Sequence, residues 1–457
     1  MAACCRLRGR NFRMRFAGQT GQVRPPHCPT CPNCADGKKH GATAADIQGN
    51  SGEVRPKARN RFSGSYAVAM TTDRLPLVRL KTERRSNHPW IFQKMVEKPD
   101  PKPKPGSIVD IQDRTGAFVG RGFYNGHSRI ALRVLTTHAE TVDQAFFQRR
   151  IERAVDLRRN LLNLDQVTDA YRFIHSEGDD LSGLVVDRFA DTLIIEYFSA
   201  GMWRIRDQIR RALAAQFPDA KMYWFAEEHV AKQESFDCST PDPPAPTQIV
   251  EHGLKFKVAP GLKHKTGFFA DQRDNRRILG SFSPGMRVLD LCCNSGGFAI
   301  YAKAAGAEEV VAIDLDEEVL EIAQANAKLN RTPVKFKQAD IFHWLRDAAI
   351  NGEQFDVVVL DPAKMTRDRE QVIPALKKYL DMNKLAMGVV KPGGLLLTCS
   401  CTGLVSEEQF LDMIRRAAFY ANRTAQILDV RGAGPDHPWL AHVPESRYLK
   451  AVFCRVF

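Results

Sequence analysis

The sequence predicts an α/β protein. A parallel sheet with helices on both faces is expected at the C-terminal end, preceded by a small β-barrel-like unit and a mixed α+β segment. Three observations carry this. Residues 249–457 alternate apolar strand-like runs with helical runs, and each strand-like run ends in a polar or Gly-bearing loop. Residues 74–139 hold short runs of alternating polar and apolar character broken by glycines. The chain has 457 residues, 44% apolar and 26% charged, which is globular composition with length for about three domains. No stretch of about 18 apolar residues is present, so a membrane-spanning helix is excluded. The opening MAACCRLRGRNFRMRFAG lacks the apolar core of a secretion signal. Eleven cysteines, an odd number spread over a long chain, read as reduced thiols and a cytoplasmic location.

Residues 1–73 are expected to be a disordered basic extension. They are rich in Gly, Ala, Arg, Pro and Asn without apolar periodicity, so little burial offsets the entropy of ordering them. Patterned sequence begins after Met70, which is the expected start, with residues 1–69 as upstream sequence or a tail. One feature argues for structure here: Cys28, Cys31 and Cys34 have CxxCxxC spacing, and His27 or His40 could complete a zinc site. No second CxxC pair follows, and few apolar residues surround it. The net charge is +13. Residues 1–69 carry 12 Lys/Arg and 3 Asp/Glu, and residues 70–139 carry 13 and 6. The rest of the chain is close to neutral, so a basic front and a polyanionic partner, nucleic acid first, are expected.

In the 74–139 unit, LPLVRL, GSIVDIQD, AFVGRGFY and RIALRVLT read as strands. Lys81, Arg84, Arg85, Lys102, Lys104, Arg121, Arg129 and Arg133 are candidates to face phosphates, and Trp90, Phe92 and Tyr124 to stack on bases. The alternative is that the aromatics are core and the charges a solvated face. Residues 140–248 give an amphipathic helix (FFQRRIERAVDLRRNLL), strands turning at Gly178 and Gly183, a second helix (IRDQIRRALAAQF), and a Pro-rich linker at 237–248. Glu177, Asp179 and Asp180 read as turn residues.

The chemistry lies in the loops of the last segment. The first strand ends at Asp290 and leads into Cys292, Cys293, Asn294, Ser295, Gly296, Gly297 and Phe298. Glycines let a ligand approach the backbone, and the following helix offers free N–H groups. The second strand ends at Asp314, placed to bond ribose hydroxyls, and the third at Asp340, within reach of an adenine amine. Three acids at consecutive strand ends behind a Gly-rich loop point to a nucleoside cofactor. The pattern looks like a class I S-adenosylmethionine-dependent methyltransferase. Upstream, Asp271, Gln272 and Arg273 follow His264, Lys265 and Thr266; Asp271 and Arg273 are candidate cofactor contacts, since a basic residue here could hold the methionyl carboxylate, or the group could fix the covering helix.

The fourth strand ends in Asp361, Pro362, Ala363, Lys364, without the aromatic residue of amino-group methyltransferases. The fifth carries Cys399 and Cys401 on one side. A thiolate that adds to carbon-6 of cytosine makes carbon-5 nucleophilic. Cys401, nearer the carboxyl edge, is the expected nucleophile and Cys399 a packed neighbour. Cys292 and Cys293 are expected to pack or to line the cofactor site, and Cys454 to be a core thiol.

Together, HPWIF at 88–92, GDDLSGLVVDRF at 178–189, HKTGFFADQR at 264–273, NSGGF at 294–298, DPAK at 361–364 and SCTGL at 400–404 resemble the bacterial 23S ribosomal RNA large-subunit methyltransferase I family over residues 74–457. The resemblance implies an RNA-binding PUA domain, an α+β middle domain and a Rossmann-like class I domain. It implies S-adenosylmethionine as cofactor and 5-methylcytosine formation in 23S ribosomal RNA. It implies Cys401 as nucleophile and Asp361 as the group that bonds the cytosine ring. This chain has Ala363 where the family motif has Pro. Rival readings are methylation of another RNA base or position, or a non-catalytic ribosomal RNA assembly factor. A homodimer is left open.

Overall fold

The structure, a computed structural model, describes residues 75–259 and 267–457. The zinc-spaced cysteines, the expected start at Met70, and His264, Lys265 and Thr266 lie outside them.

The front of the described chain is a five-stranded sheet of β1 (Leu77–Arg79), β2 (Trp90–Phe92), β3 (Ser107–Gln112), β4 (Phe118–Tyr124) and β5 (Ile130–Thr136). Its order is β1-β3-β4-β5-β2. Alternation buries Val78, Val109, Ile111, Leu132 and Val134 together inside. The two edges meet: Lys81 N–H donates to Met95 O (2.9 Å) and Glu97 N–H to Arg79 O (2.9 Å), which curls the sheet toward a barrel. A Cβ on Gly122 would lie 2.3 Å from Arg133 O, so the close β4–β5 approach requires glycine there.

The middle of the chain folds as α1 (Gln144–Asp156), β6 (Ala170–His175), β7 (Leu184–Phe189), β8 (Thr192–Tyr197), α2 (Ala200–Arg204), α3 (Arg206–Gln216), β9 (Lys221–Phe225) and α4 (Glu228–Glu234). Asp143 caps α1 by accepting from Phe146 N–H at 3.0 Å. The four strands pair in sequence order, and Phe147, Ile151, Phe173, Ile195, Ile209 and Leu213 join the sheet to α1 and α3. A hairpin, β10 (Thr247–Glu251) and β11 (Leu254–Val258), follows the Pro-rich stretch. That stretch is no free joint. One core unites Phe189, Ile194 and Tyr223 of the middle sheet, Ile249 and Phe256 of the hairpin, and Ile300, Tyr301 and Ala327 beyond it.

The last part contains α5 (Arg273–Ser281), β12 (Arg287–Leu291), α6 (Gly297–Ala304), β13 (Glu309–Asp314), α7 (Glu317–Asn330), β14 (Lys335–Gln338) and α8 (Ile341–Ile350). It continues with β15 (Phe355–Leu360), α9 (Val372–Gly388), β16 (Val390–Ser400), α10 (Glu407–Tyr420), β17 (Ala425–Arg431) and β18 (Lys450–Val456). The sheet order is β14-β13-β12-β15-β16-β18-β17. The five expected strands are parallel, and β18 enters antiparallel beside β16. Successive residues serve opposite faces: Val288, Val310 and Val357 pack on one side, Leu289, Val311 and Val358 on the other. Strand order reverses between β12 and β15, so their carboxyl ends open the crevice where α/β sheets bind ligands. Among the described residues, no helix is long and apolar enough to cross a membrane.

Candidate active site

The loop after β12 is built from unusual backbone. Cys292 (φ 61°), Asn294 (φ 48°) and Gly296 (φ 82°) all adopt left-handed conformations. Asn294 steadies the loop: its N–H donates to Asp314 Oδ2 (2.9 Å) and its Oδ1 accepts from Ser295 N–H (2.7 Å). At Gly296 a side chain would be strained by φ and would lie 3.2 Å from Ala323 Cβ. Gly297 opens α6, and its missing Cβ leaves room for Arg276 Cδ, which would stand at 2.9 Å. Phe298 and Ser295 are buried, Phe298 within the core of the sheet.

Asp290 is fully buried; its Oδ2 accepts from Ala299 N–H at 2.9 Å and its Oδ1 has no partner among the described residues. Burial, with Asp361 and Asp314 nearby, pushes its carboxyl up to about 8. Asp314 ends β13 and accepts from the N–H groups of Asn294 and Asp316. Asp340 caps α8 through Oδ1, which accepts from Phe342 and His343 N–H. The acids converge on Cys292, whose thiol is pushed up by burial first and then by Asp314, Asp361, Asp290 and Asp340. Four strand ends thus line one crevice with acidic side chains.

Across the crevice, Cys401 follows the last residue of β16 and is partly exposed, whereas Cys399 is wholly buried. Burial, then Asp361 and Asp271, push the Cys401 thiol up to about 12, with Lys364 acting in the opposite direction. Asp361 accepts from Gln272 Nε2 at 3.0 Å. Its carboxyl is pushed up to about 7, by burial first and then by Asp271. The Cys401 loop is fixed from both sides. Thr402 Oγ1 accepts from Met365 N–H (3.0 Å) and pairs with Tyr379 Oη (2.9 Å), and Lys450 Nζ donates to Thr402 O and Tyr448 O (both 2.8 Å). Burial lowers Lys450 to about 8. A cavity of about 380 Å³ lined by Lys364, Arg367 and Lys378 opens beside this loop.

Comparison with known proteins gives this geometry its context. Residues 80–137 match the PUA-like domain family, and residues 158–437 match the S-adenosylmethionine-dependent methyltransferase family. Two relatives named ribosomal RNA large subunit methyltransferase I come from Tolumonas auensis and Citrobacter koseri. The first is 39% identical over 378 residues, 80% of this chain and 95% of its own length. The second is 37% identical over 378 residues, 81% and 95%. The chain belongs to the ribosomal RNA large subunit methyltransferase I family. The solved structure of a Streptococcus mutans protein assigned as an S-adenosylmethionine-dependent methyltransferase shares the fold. It has a TM-score of 0.70 at 18% identity, covering 83% of this chain and 100% of that one.

As a member of this family the protein is an S-adenosylmethionine-dependent methyltransferase with a PUA-like domain. The crevice fits a cationic nucleoside cofactor: its lining is acidic, Asp290 Oδ1 is buried without a partner among the described residues, and the Gly296 backbone admits close approach. Asp290, Asn294, Ser295, Gly296, Gly297, Asp314 and Asp340 would hold it. Three expected contacts fall elsewhere. Asp271 accepts from Tyr448 Oη at 2.5 Å and, through its carbonyl, from Gly434 N–H at 3.0 Å. Arg273, buried, points to Asp436 (2.8 Å) and Asp274 (3.5 Å), so its charge is already matched and it fixes α5 to the C-terminal loop. Phe298 packs in the core.

The basic front divides in two. Lys81, Arg85, Lys102, Lys104 and Arg129 are exposed. Arg84 instead bonds the carbonyls of Ser86 (2.7 Å) and His88 (3.3 Å). Arg121 pairs with Asp110 at 2.7 Å and bonds Glu140 O. Arg133 is buried between Glu177 (3.6 Å) and Glu234 (3.5 Å). Trp90 Nε1 donates to Glu177 Oε1 (2.7 Å), which makes Glu177 a buried anchor rather than a plain turn residue. Tyr124 is core, and Phe92 stays 41% exposed and available. The sequence reading had no role for Tyr448 or Lys450, because β18 reaches the site only by entering the sheet beside β16. Gln272 lies in HKTGFFADQR, and its bond to Asp361 depends on α5 folding over β15.

Proposed function

We propose that the protein methylates carbon-5 of a cytosine in large-subunit ribosomal RNA through a covalent adduct on Cys401. The observation that carries this is the pairing of a partly exposed thiol at the end of β16 with a neighbouring carboxyl held near 7, that of Asp361. The names of the relatives supply the ribosomal RNA, and the PUA-like domain supplies a means of holding it.

A thiol raised to about 12 is protonated at neutral pH and needs a base. Asp361, near 7, can take that proton and give it back. As the Cys401 sulfur bonds carbon-6, Asp361 delivers the proton to ring N3. This keeps the adduct neutral and makes carbon-5 enamine-like. When bound, S-adenosylmethionine supplies an electrophilic methyl group. Loss of the carbon-5 proton then re-forms the C5–C6 double bond and expels the sulfur. The N3 proton returns through Asp361 to Cys401. Lys364 and Lys450 keep the sulfur in a partly cationic surround, and the buried loop of Thr402 and Tyr379 holds it in place.

Bisulfite mapping of ribosomal RNA from cells with and without the gene tests the product: one cytosine should change from protected to converted. Purified Cys401→Ala should bind the cofactor and transfer no methyl group. Methylation at near-normal rate by that variant would remove the thiol mechanism.

A further inference from the structure

The carbon-5 proton needs an acceptor. The group must be a carboxylate or an uncharged amine, lie between Asp361 and Cys401, and carry a lone pair that no hydrogen bond uses. Lys450 does not qualify: at about 8 it is mostly protonated at neutral pH, and Nζ is bound to two carbonyls. Tyr379 is a phenol pushed up to about 12 and already bonded to Ser400 and Thr402. Asp290 has a bare oxygen but belongs to the group that would hold the cofactor, with its other oxygen bound to Ala299 N–H of α6. Asp361 already serves the thiol and N3.

Asp271 remains. It is 8% exposed, and its Oδ1 takes no hydrogen bond among the described residues. Its Oδ2 accepts from Tyr448 Oη at 2.5 Å, and its carbonyl accepts from Gly434 N–H at 3.0 Å, so the side chain is held from one side only. Its two neighbours tie it to both halves of the reaction. Gln272, next in sequence, donates to Asp361 at 3.0 Å. Tyr448 packs its Cβ 3.5 Å from where a Cβ on Gly403 would stand, two residues beyond Cys401, and its carbonyl binds Lys450 beside Thr402. The charge of Asp271 is felt at Cys401 and at Asp361. A buried acceptor left bare beside a nucleophile is costly unless a ligand or substrate uses it.

We infer that Asp271 is the base that takes the carbon-5 proton, with Tyr448 as the residue that aims it. The step rests on the cytosine carbon-5 reading above. Asp271 Oδ1 accepts the proton, the C–H electron pair becomes the C5–C6 double bond, and the C6–S bond breaks with its pair on Cys401. The ring, still protonated at N3, returns that proton through Asp361 to the Cys401 thiolate before the product leaves.

The test uses the full chain, S-adenosylmethionine carrying a labelled methyl group, and ribosomal RNA tritiated at cytosine carbon-5. Wild type should release tritium in step with methyl transfer. Asp271→Asn, whose amide oxygen can still accept from Tyr448, should bind S-adenosylmethionine normally by calorimetry. It should release tritium at least about 10²-fold more slowly. It should also accumulate methyl-labelled RNA covalently bound to protein, and that band should vanish in the Cys401→Ala, Asp271→Asn double variant. Tyr448→Phe, a milder change to the fold, should give an adduct that decays at an intermediate rate. Wild-type tritium release by Asp271→Asn, or loss of cofactor binding without an adduct, would overturn the assignment. Absence of tritium release from wild type would instead overturn the carbon-5 reading itself, so the two failures are distinguishable.

Discussion

Asp290 and Asp361 hold their carboxyls near 8 and 7 because the sheet buries them beside other acids. Both lie above the ordinary carboxylate range near 3.9, so folding favours their protonated forms. A group raised in this way stabilises the fold fully below its unfolded value and loses that contribution as pH rises through the folded value. The ligand-free protein should therefore lose stability between about pH 4 and pH 8 from these two groups. Asp290→Asn, which keeps an oxygen for Ala299 N–H, should flatten that part of the profile and weaken S-adenosylmethionine binding by about tenfold or more. Urea midpoints at several pH values and calorimetry would check both. In catalysis the sign follows from which form works. In the proposed mechanism Asp361 is ionised when it takes the Cys401 proton, so kcat/KM should fall as pH drops below about 7, and Asp361→Asn should abolish transfer. A profile flat from pH 5.5 to 8 would contradict this use of Asp361. These residues stand at strand ends in the sequence, so their positions were legible. Their protonation was not, because it depends on how four strands and α6 enclose them.

Among the elements, α5 does more than cover the sheet. Arg276 on its buried face makes a two-pronged pair with Glu251 of β10 (2.8 and 2.7 Å), and Tyr301 of α6 adds a bond to Glu251 Oε1 at 3.0 Å. The guanidinium also lies 4.7 Å from the Phe268 ring. Hairpin, α5 and α6 are thereby locked together, and the lock sets where Gln272 and Asp271 stand. Glu251→Ala would strand a buried cation and should cost about 3–5 kcal/mol, read as a lowered denaturant midpoint. Methyl transfer should fall even where the variant remains folded, because the chain just before α5 carries two residues of the site. An unchanged midpoint would show that the pair is not enclosed. Strands β12, β13 and β15 were legible as mainly apolar runs, and the helices between β12 and β16 from their period and loop residues. The role of α5 and the entry of β18 beside β16 were not. Arg276 meets Glu251 25 residues away, Gln272 meets Asp361 89 residues away and Lys450 meets Thr402 48 residues away, separations that local pattern cannot register.

At the scale of the whole molecule, the RNA reading turns on which positive charges are free to meet phosphate. Composition alone made all the basic residues of the front equivalent. The fold separates them: Arg84, Arg121 and Arg133 are engaged by carbonyls or carboxylates, whereas Lys81, Arg85, Lys102, Lys104 and Arg129 face outward. Arg85 is 85% exposed, and its ion pair to Glu83 spans 3.9 Å, too long to hold the charge. Each outward cation that meets a phosphate should release bound counterions from the RNA and add about 0.7–0.9 to the slope of log affinity against log salt. Replacing Lys81, Arg85 and Arg129 together with Ala should therefore weaken ribosomal RNA binding and flatten that slope by about 2 to 3, with the thermal midpoint unchanged. Arg133→Ala should do the reverse. It leaves Glu177 and Glu234 buried without their cation, so stability falls while the salt slope stays that of the wild type. Filter binding across a salt series, beside thermal melts of the same four-protein set of wild type, triple variant, Arg133→Ala and Cys401→Ala, decides the matter. A triple variant with the wild-type slope would place the RNA on another face, and the basic cavity lined by Lys364, Arg367 and Lys378 would be the next surface to neutralise.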